Sequence, residues 1–167
     1  MQPTVKTDTL TSTPQGVQQT KPMATYTQLL YQIVFSTKNR EITLLKPNRE
    51  KLYHYIWGLL KNKKCTLYRI NGTNDHLHIV THIHPTISVS SIVKVSTSQW
   101  IKSDRIFPAF DSWQEGYGAF TYVIKEKEAL VNYVINQDKH HKTKSFKEEF
   151  NELLNEHEIE FDERYLL

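Results

Sequence analysis

The feature that most constrains the fold is a pair of strand-like runs joined by a tight turn. Residues 64–70 (KCTLYRI) and 75–83 (DHLHIVTHI) flank Asn71-Gly72-Thr73-Asn74. Asn and Gly are the residues that tolerate the backbone of a tight turn, so the two runs read as a β-hairpin. A hairpin commits this part of the chain to antiparallel pairing. Side chains alternate faces along a strand. His76 and His78 therefore share one face of the second run, and Leu77 points to the other.

The remaining elements fall around this hairpin. Residues 28–37 (QLLYQIVFST) are rich in aliphatic and aromatic side chains and read as a buried strand. Lys38-Asn39-Arg40 follows as a basic loop. Residues 47–63 carry Leu52, Tyr55, Ile56, Leu59 and Leu60 at helical spacing, and Pro47 suits a first turn. A second helix is expected over residues 85–102, capped by Thr86 or Ser88, although its Ser and Thr content is high for a helix. Residues 113–123 read as a strand entered through Gly116 and Gly118, where a bulge or a close backbone approach is expected. Residues 126–141 form a third helix, with Glu126 and Glu128 at its start and Lys139 to Lys142 at its end. Ser145 and Glu148 have capping-box spacing and open a short helix to about residue 157, followed by an extended tail. The order β-α-β-β-α-β-α predicts an α+β, ferredoxin-like fold: an antiparallel four-stranded sheet with helices on one face, plus a C-terminal helix carrying Tyr133.

At 167 residues the chain suits a single structured domain over residues 26–167. Residues 1–25 are dominated by Thr, Gln, Pro and Ser and read as a disordered arm; Met23 could be the natural start. No apolar run approaches the roughly 18 residues of a membrane-spanning helix, and the first 25 residues lack the apolar core of a signal peptide. The lone Cys65 excludes an internal disulfide framework and fits a cytoplasmic, reducing location; burial in the core is its expected role. Charge is uneven. Residues 1–147 hold 20 Lys and Arg against 10 Asp and Glu, whereas residues 148–167 hold 1 against 8. A basic body suits a polyanionic partner, and the acidic end is expected to lie away from that partner or to screen it.

The chemistry concentrates in two places. Two imidazoles on one strand face can grip a metal ion, and Asp75 just before them can orient an imidazole. His82 and His84 continue the alternation and are read as rim residues. Tyr133 and Gln137 lie four apart on the third helix and so share a face. His140 and His141 follow on roughly that face and rival Gln137 as a third ligand. Two imidazoles and an amide oxygen form a nitrogen and oxygen set that Mg²⁺ or Mn²⁺ can use. A tyrosine beside such a site points to phosphotyrosine chemistry on DNA.

Several stretches resemble known proteins. Asp75-His76-Leu77-His78 is similar to the histidine–hydrophobic–histidine signature of the HUH endonucleases. Residues 113–120 (WQEGYGAF), Tyr133-Val134-Ile135-Asn136-Gln137, His140-His141, residues 145–150 (SFKEEF) and the ending DERYL resemble the single-tyrosine transposases of small bacterial insertion sequences and their REP-associated relatives. The resemblance runs from about Tyr26 to the C-terminus. It implies that His76, His78 and Gln137 bind a divalent metal, Mg²⁺ or Mn²⁺. It also implies that Tyr133 attacks single-stranded DNA and holds a 5′-phosphotyrosine. The expected partners are DNA hairpins at transposon ends and a second copy of the chain, in a bacterial cytoplasm and on the nucleoid when DNA is bound. Lys38, Arg40, Lys61, Lys63 and Lys64 are assigned as DNA-backbone contacts from their charge and position.

The chain departs from the family pattern in one place. Between Val93 and Trp100 it holds about one helical turn fewer than the resemblance implies, so the second helix is expected to be shortened or shifted in register. Two rival readings stand beside the transposase: a non-catalytic or domesticated single-stranded nucleic-acid-binding relative, and a ferredoxin-like protein with a structural metal.

Overall fold

A computed structural model describes residues 26–89, 94–162 and 166. The N-terminal arm and part of the extended tail lie outside the described residues. The central strands form as the apolar patterning predicts. β1 (Leu30–Ser36) and β3 (His76–His82) pair antiparallel, with Val34 opposite His78 and Ser36 opposite His76. β2 (Thr66–Gly72) pairs with β3 on its other side, with an irregularity between Leu67 and Arg69. β4 (Gly118–Tyr122) pairs with the free edge of β1. The sheet order is β2-β3-β1-β4, all antiparallel, which is the ferredoxin-like arrangement.

β3 is covered on both faces. On one side Leu77 and Ile79 meet Leu52, Ile56 and Leu60 of α1 (Lys46–Asn62), with Ile101 of α2 (Ser96–Asp104) and buried Cys65. On the other, Val80 meets Leu130 and Val134 of α3 (Lys127–Ile135). Beside it Val34 and Phe120 meet Phe146, Leu153 and Leu154 of α5 (Phe146–Glu156). A short α4 (Gln137–His140) joins the two. The tyrosine helix therefore swings back onto its own sheet, and the last helix among the described residues is α5, two elements later.

Four boundaries differ from the sequence reading. Asn71 and Gly72, expected in the hairpin turn, are the last residues of β2, opposite His78 and Leu77. The second helix does not begin at Pro85. His84 and Thr86 bond each other's side chains at 2.8 Å, the backbone N–H of Ile87 donates to His84, and the chain turns there instead. Residues 90–93 of the expected helix lie outside the described residues. From Ser96 on α2 packs: Trp100 stacks on Tyr55 with ring centroids 4.3 Å apart, and Thr97 Oγ1 accepts from Trp113 Nε1 at 2.8 Å. Trp113 is thus a core residue joined to Thr37 by one isolated bridge, and β4 starts five residues later. The third helix breaks at Asn136, whose backbone leaves the helical range. Asn71 of β2 donates from Nδ2 to the carbonyls of Val134 and Ile135 at 3.0 and 3.1 Å. These bonds satisfy orphan carbonyls at the end of α3 and tie the tyrosine helix to the sheet.

The capping box at Ser145 forms as predicted, with Glu148 N–H donating to Ser145 Oγ and Ser145 N–H donating to Glu148. The turn into β3 is equally specified. A Cβ at Gly72 would strike the His76 carbonyl and Leu77. Arg49, buried in α1, donates to the Gly72 carbonyl. Gly72→Ala is expected to destabilise the fold by about 1–3 kcal/mol through this overpacking. Urea unfolding measures it, and an unchanged midpoint would mean that the β2–β3 junction can yield without strain.

Candidate active site

The site grows out of β3. Its alternation sends His76 and His78 to the face covered by α3, α4 and α5, where both are essentially fully buried. An imidazole removed from water needs partners for both nitrogens. His76 Nδ1 lies 2.7 Å from Asp75 Oδ1 and 2.8 Å from Thr73 Oγ1. Asp75 is held in turn by Arg40, whose Nε and Nη2 both reach Asp75 Oδ2. The Arg40 guanidinium also lies 3.7 Å above the Phe146 ring, and Phe146 packs 4.7 Å from the His76 ring. A carboxylate accepting from Nδ1–H leaves His76 Nε2 to face the site.

Around the two histidines the C-terminal helices deliver four more groups. Tyr133 on α3 sets its ring 6.2 Å from that of His78, and its hydroxyl donates to Glu149 Oε1. Gln137, fully buried at the start of α4, donates from Nε2 to the same oxygen at 2.8 Å. His141 Nε2 lies 2.8 Å from His76 Nε2 and 2.9 Å from Glu149 Oε2. Glu149 Oε2 is also 3.5 Å from His78 Nε2. One donor atom from each of His76, His78, His141 and Glu149 lies within 4.8 Å of the others.

This donor set fits a divalent cation. His78 Nε2 and Gln137 Oε1 are buried and have no hydrogen-bond partner, and Glu149 Oε2 meets only imidazole nitrogens, His141 Nε2 at 2.9 Å and His78 Nε2 at 3.5 Å. Two unpartnered atoms converging beside a buried carboxylate are an electrostatic demand that a bound cation would satisfy. His76 Nε2 and His141 Nε2 face each other, so one must donate unless an ion lies between them. Imidazole nitrogens with amide and carboxylate oxygens are the mixed set expected for Mg²⁺ or Mn²⁺. One condition applies at His78. Gln32 Nε2 lies 3.0 Å from its Nδ1, and Gln32 Oε1 accepts from the Tyr122 hydroxyl at 2.8 Å. In that orientation Gln32 donates, which puts the proton of a neutral His78 on Nε2. Ligation through Nε2 requires the Gln32 amide turned over, so that Oε1 accepts from Nδ1–H.

Of the residues singled out in the sequence, His76, His78, Tyr133 and Gln137 come together. Of the rival ligands, His141 joins them, while His140 Nε2 stands 3.9 Å from Glu149 and its ring packs on Tyr133. His82 and His84 bond elsewhere, to the Leu29 carbonyl and Thr86. The five basic residues do not form one surface. Lys38 and Arg40 follow Ser36, opposite His76, whereas Lys61, Lys63 and Lys64 precede Thr66, opposite His82 at the far end of β3. Lys38 pairs with Asp111 at 2.9 Å, and Arg40 is occupied by Asp75. Arg40 is thus part of the histidine scaffold, which charge alone could not reveal. Lys61 lies over the exposed Trp57 ring, and Lys63 and Lys64 are exposed.

The sequence reading missed Glu149. It sits in the acidic C-terminal segment, yet that segment does not lie away from the site, because Glu149 is 1% exposed at its centre. A signal was available: Phe146, Glu149, Leu153 and Leu154 follow helical spacing, which places a carboxylate on an apolar stripe.

Electrostatics follow from this burial. Burial would raise the Glu149 carboxyl, but His141, His78 and the Tyr133 hydroxyl outweigh it and hold it far below its ordinary value. Burial would likewise raise Asp75, yet hydrogen bonds from His76, Thr73 and Arg40 hold it low. The Tyr133 hydroxyl is pushed far above its ordinary value, first by burial and then by the Glu149 carboxylate. His76 is pushed down to about 4 from 6.5, chiefly by burial, with Asp75 opposing. Between those two values the unfolded chain binds a proton that the folded chain does not. Stability is therefore expected to fall as pH drops from 6.5 towards about 4. The two depressed carboxylates stabilise the fold above their unfolded values of 3.8 and 4.5, so their loss adds only at lower pH. Urea midpoints across this range test the point, and a flat profile above pH 4.5 would overturn the neutral, buried assignment of His76.

Comparison with known proteins places the chain. No curated protein matches it. Among solved structures, a protein of Deinococcus radiodurans R1 provisionally described as a transposase is 18% identical, covering 71% of this chain and 98% of its own, with a TM-score of 0.48. A REP-associated tyrosine transposase bound to a REP hairpin is 19% identical, covering 71% of this chain and 74% of its own, with a TM-score of 0.45. The family model described as "Transposase IS200 like" matches residues 25–137. That span covers more than half of the chain and runs from before β1 through both histidines and Tyr133 to Gln137, ending short of His141 and Glu149. The chain belongs to the IS200-like transposase family.

Proposed function

We propose that this chain is a metal-dependent single-strand DNA transposase in which Tyr133 cleaves and rejoins DNA through a 5′-phosphotyrosine. The observation that carries this reading is the meeting of Tyr133 with the histidine cluster: the hydroxyl donates to the carboxylate that also faces His78 and His141. The family membership and the unsatisfied donor set support it.

His76, His78 and Gln137 would hold the divalent cation, with His141 or Glu149 completing the set. When bound, Mg²⁺ or Mn²⁺ supplies charge neutralisation at the scissile phosphate. Asp75, braced by Arg40, fixes the ring and proton of His76. Gln32, with its amide turned over so that Oε1 accepts from Nδ1–H, would do the same for His78. The Tyr133 oxygen attacks phosphorus, the P–O3′ bond breaks, and the leaving O3′ takes a proton from solvent to become a free 3′-hydroxyl. Glu149 Oε1, already hydrogen-bonded to the phenol, is the nearest acceptor for its proton. Attack by a second 3′-hydroxyl on the phosphotyrosine reverses the chemistry and joins strands without an external energy source. We assign hairpins at element ends as the substrate and a homodimer as the working assembly, on the family resemblance. Tyr133 reaches the histidines of its own chain in this structure, so a single chain brings together the nucleophile and the metal-ligand candidates.

A denaturing gel of the protein mixed with labelled single-stranded hairpin DNA from its own element's ends, with Mn²⁺ or Mg²⁺, tests the reading. A covalent adduct is expected. It should vanish in Tyr133→Phe with DNA binding nearly unchanged, and in His76→Ala with weakened Mn²⁺ binding by calorimetry. Tight DNA binding with no adduct in either metal would favour the non-catalytic nucleic-acid-binding relative.

A further inference from the structure

Beside Tyr133, Glu126, Glu149, Glu152 and Glu156 line a cavity of about 270 Å³. Those carboxylates oppose a polyanion, so the rest of a bound strand needs another place to lie. The charge to hold it stands on α1 and β2. Residues 51–74 contain Lys51, Lys61, Lys63, Lys64 and Arg69 and not one Asp or Glu. Lys61, Lys63, Lys64 and Arg69 are exposed, and none of their side chains is ion-paired among the described residues.

These cations border a groove. Between α1 and β2 lie two adjoining cavities of about 350 and 310 Å³, which share Tyr53, Leu67 and Ile70. β2 is an outer strand of the sheet, with β3 on one side only, so its other edge is open. Trp57 forms one wall and is 49% exposed. Lys61 Nζ lies 4.9 Å from the centre of the Trp57 ring, and Lys127 of α3 lies 5.3 Å from that of Tyr68. Contact with a ring leaves an ammonium its N–H donors for an anion. One acidic residue, Glu50, lines the groove, together with Asn71 and so away from Lys61, Lys63 and Lys64. The basic mouth adjoins Thr66, opposite His82. Six residues of β3 separate it from His76, about 20 Å.

A second copy of the chain could pair with an open strand edge. Across a two-fold axis, however, that pairing would bring the same cations together. An unpaired stretch of nucleic acid supplies both phosphates for the cations and flat bases for the exposed indole. We propose that this groove is a second DNA-contact surface, on which an unpaired stretch of the substrate strand lies with a base stacked on Trp57 and its phosphates on Lys61, Lys63, Lys64 and Arg69. This rests on the DNA reading above and adds where the strand is held away from the nucleophile. Stacking and phosphate contacts read no base edge, so the grip is independent of sequence. Tyr68 and Lys127 continue the track round the sheet edge to α3, the helix of Tyr133.

Fluorescence anisotropy of labelled dT15 with the full chain, over a series of salt concentrations, tests the proposal. Trp57→Ala is expected to weaken binding about tenfold, and Trp57→Phe, which keeps a stacking ring, by no more than about threefold. The double variant Lys63→Ala/Lys64→Ala should lower the slope of log affinity against log salt by about 1.4. Lys102→Ala, on the α2 side of α1, should change neither. Binding should also quench tryptophan fluorescence in the wild type but not in Trp57→Phe. Wild-type affinity in Trp57→Ala, or an unchanged slope in the double variant, would overturn the proposal. So would a loss of self-association in Trp57→Ala by sedimentation with dT15 affinity intact, since a second copy would then be the occupant. The adduct assay keeps the two readings apart. An adduct that requires Tyr133, formed by a chain whose dT15 binding ignores these substitutions, sinks the groove alone. Binding that follows them without an adduct in either metal sinks the nuclease alone.

Discussion

The interaction on which the structure turns is the desolvation of two imidazoles in the middle of a sheet. β3 is buried on both faces, so His76 and His78 have no water to satisfy them. Each is answered by a short relay: Arg40 through Asp75 to His76, and Tyr122 through Gln32 to His78. The relays come from four places in the chain, namely the loop after β1, the turn before β3, β1 itself and β4. The face is then closed by α3, α4 and α5, which deliver Tyr133, Gln137, His141 and Glu149. The ferredoxin-like frame explains where the strands are; the buried histidines explain why three further helices must lie across them.

Much of this was legible in the chain. Apolar runs marked the strands and their antiparallel pairing, although Asn71 and Gly72 close β2 rather than turn, and the alternation of β3 put both histidines on one face. The i, i+4 spacing of Tyr133 and Gln137 survived a break in the helix between them, because Asn136 alters the backbone without separating the two side chains. What escaped was decided by tertiary partners. Arg40 read as a free cation because its carboxylate lies 35 positions away. Trp113 read as strand because its pairing with Thr97 depends on how α2 packs. Glu149 was hidden among eight acidic residues in the last twenty, although its place on an apolar stripe set it apart.

The uneven charge of the chain acquires a meaning in the fold. The acidic segment is not a solvated end: Glu149 reaches the centre, while Glu152 and Glu156 line the cavity beside Tyr133. Arg40, paired with Asp75, lies over the Phe146 ring. The surroundings of Tyr133 are therefore unevenly charged, with carboxylates lining its own cavity and the guanidinium beyond Phe146.

The capping box of α5 has a consequence for how the chain can vary. Ser145 and Glu148 bond each other and fix where the helix begins. Glu149 is the next residue, about 100° further round the axis, so the cap also sets the angle at which its carboxylate enters the site. The connection from His141 to Ser145 is therefore an index rather than a spacer. Its exposed Lys142 can be exchanged, but adding or removing one residue would either break the cap or turn Glu149 out of the centre. Length, not composition, is what this short stretch encodes.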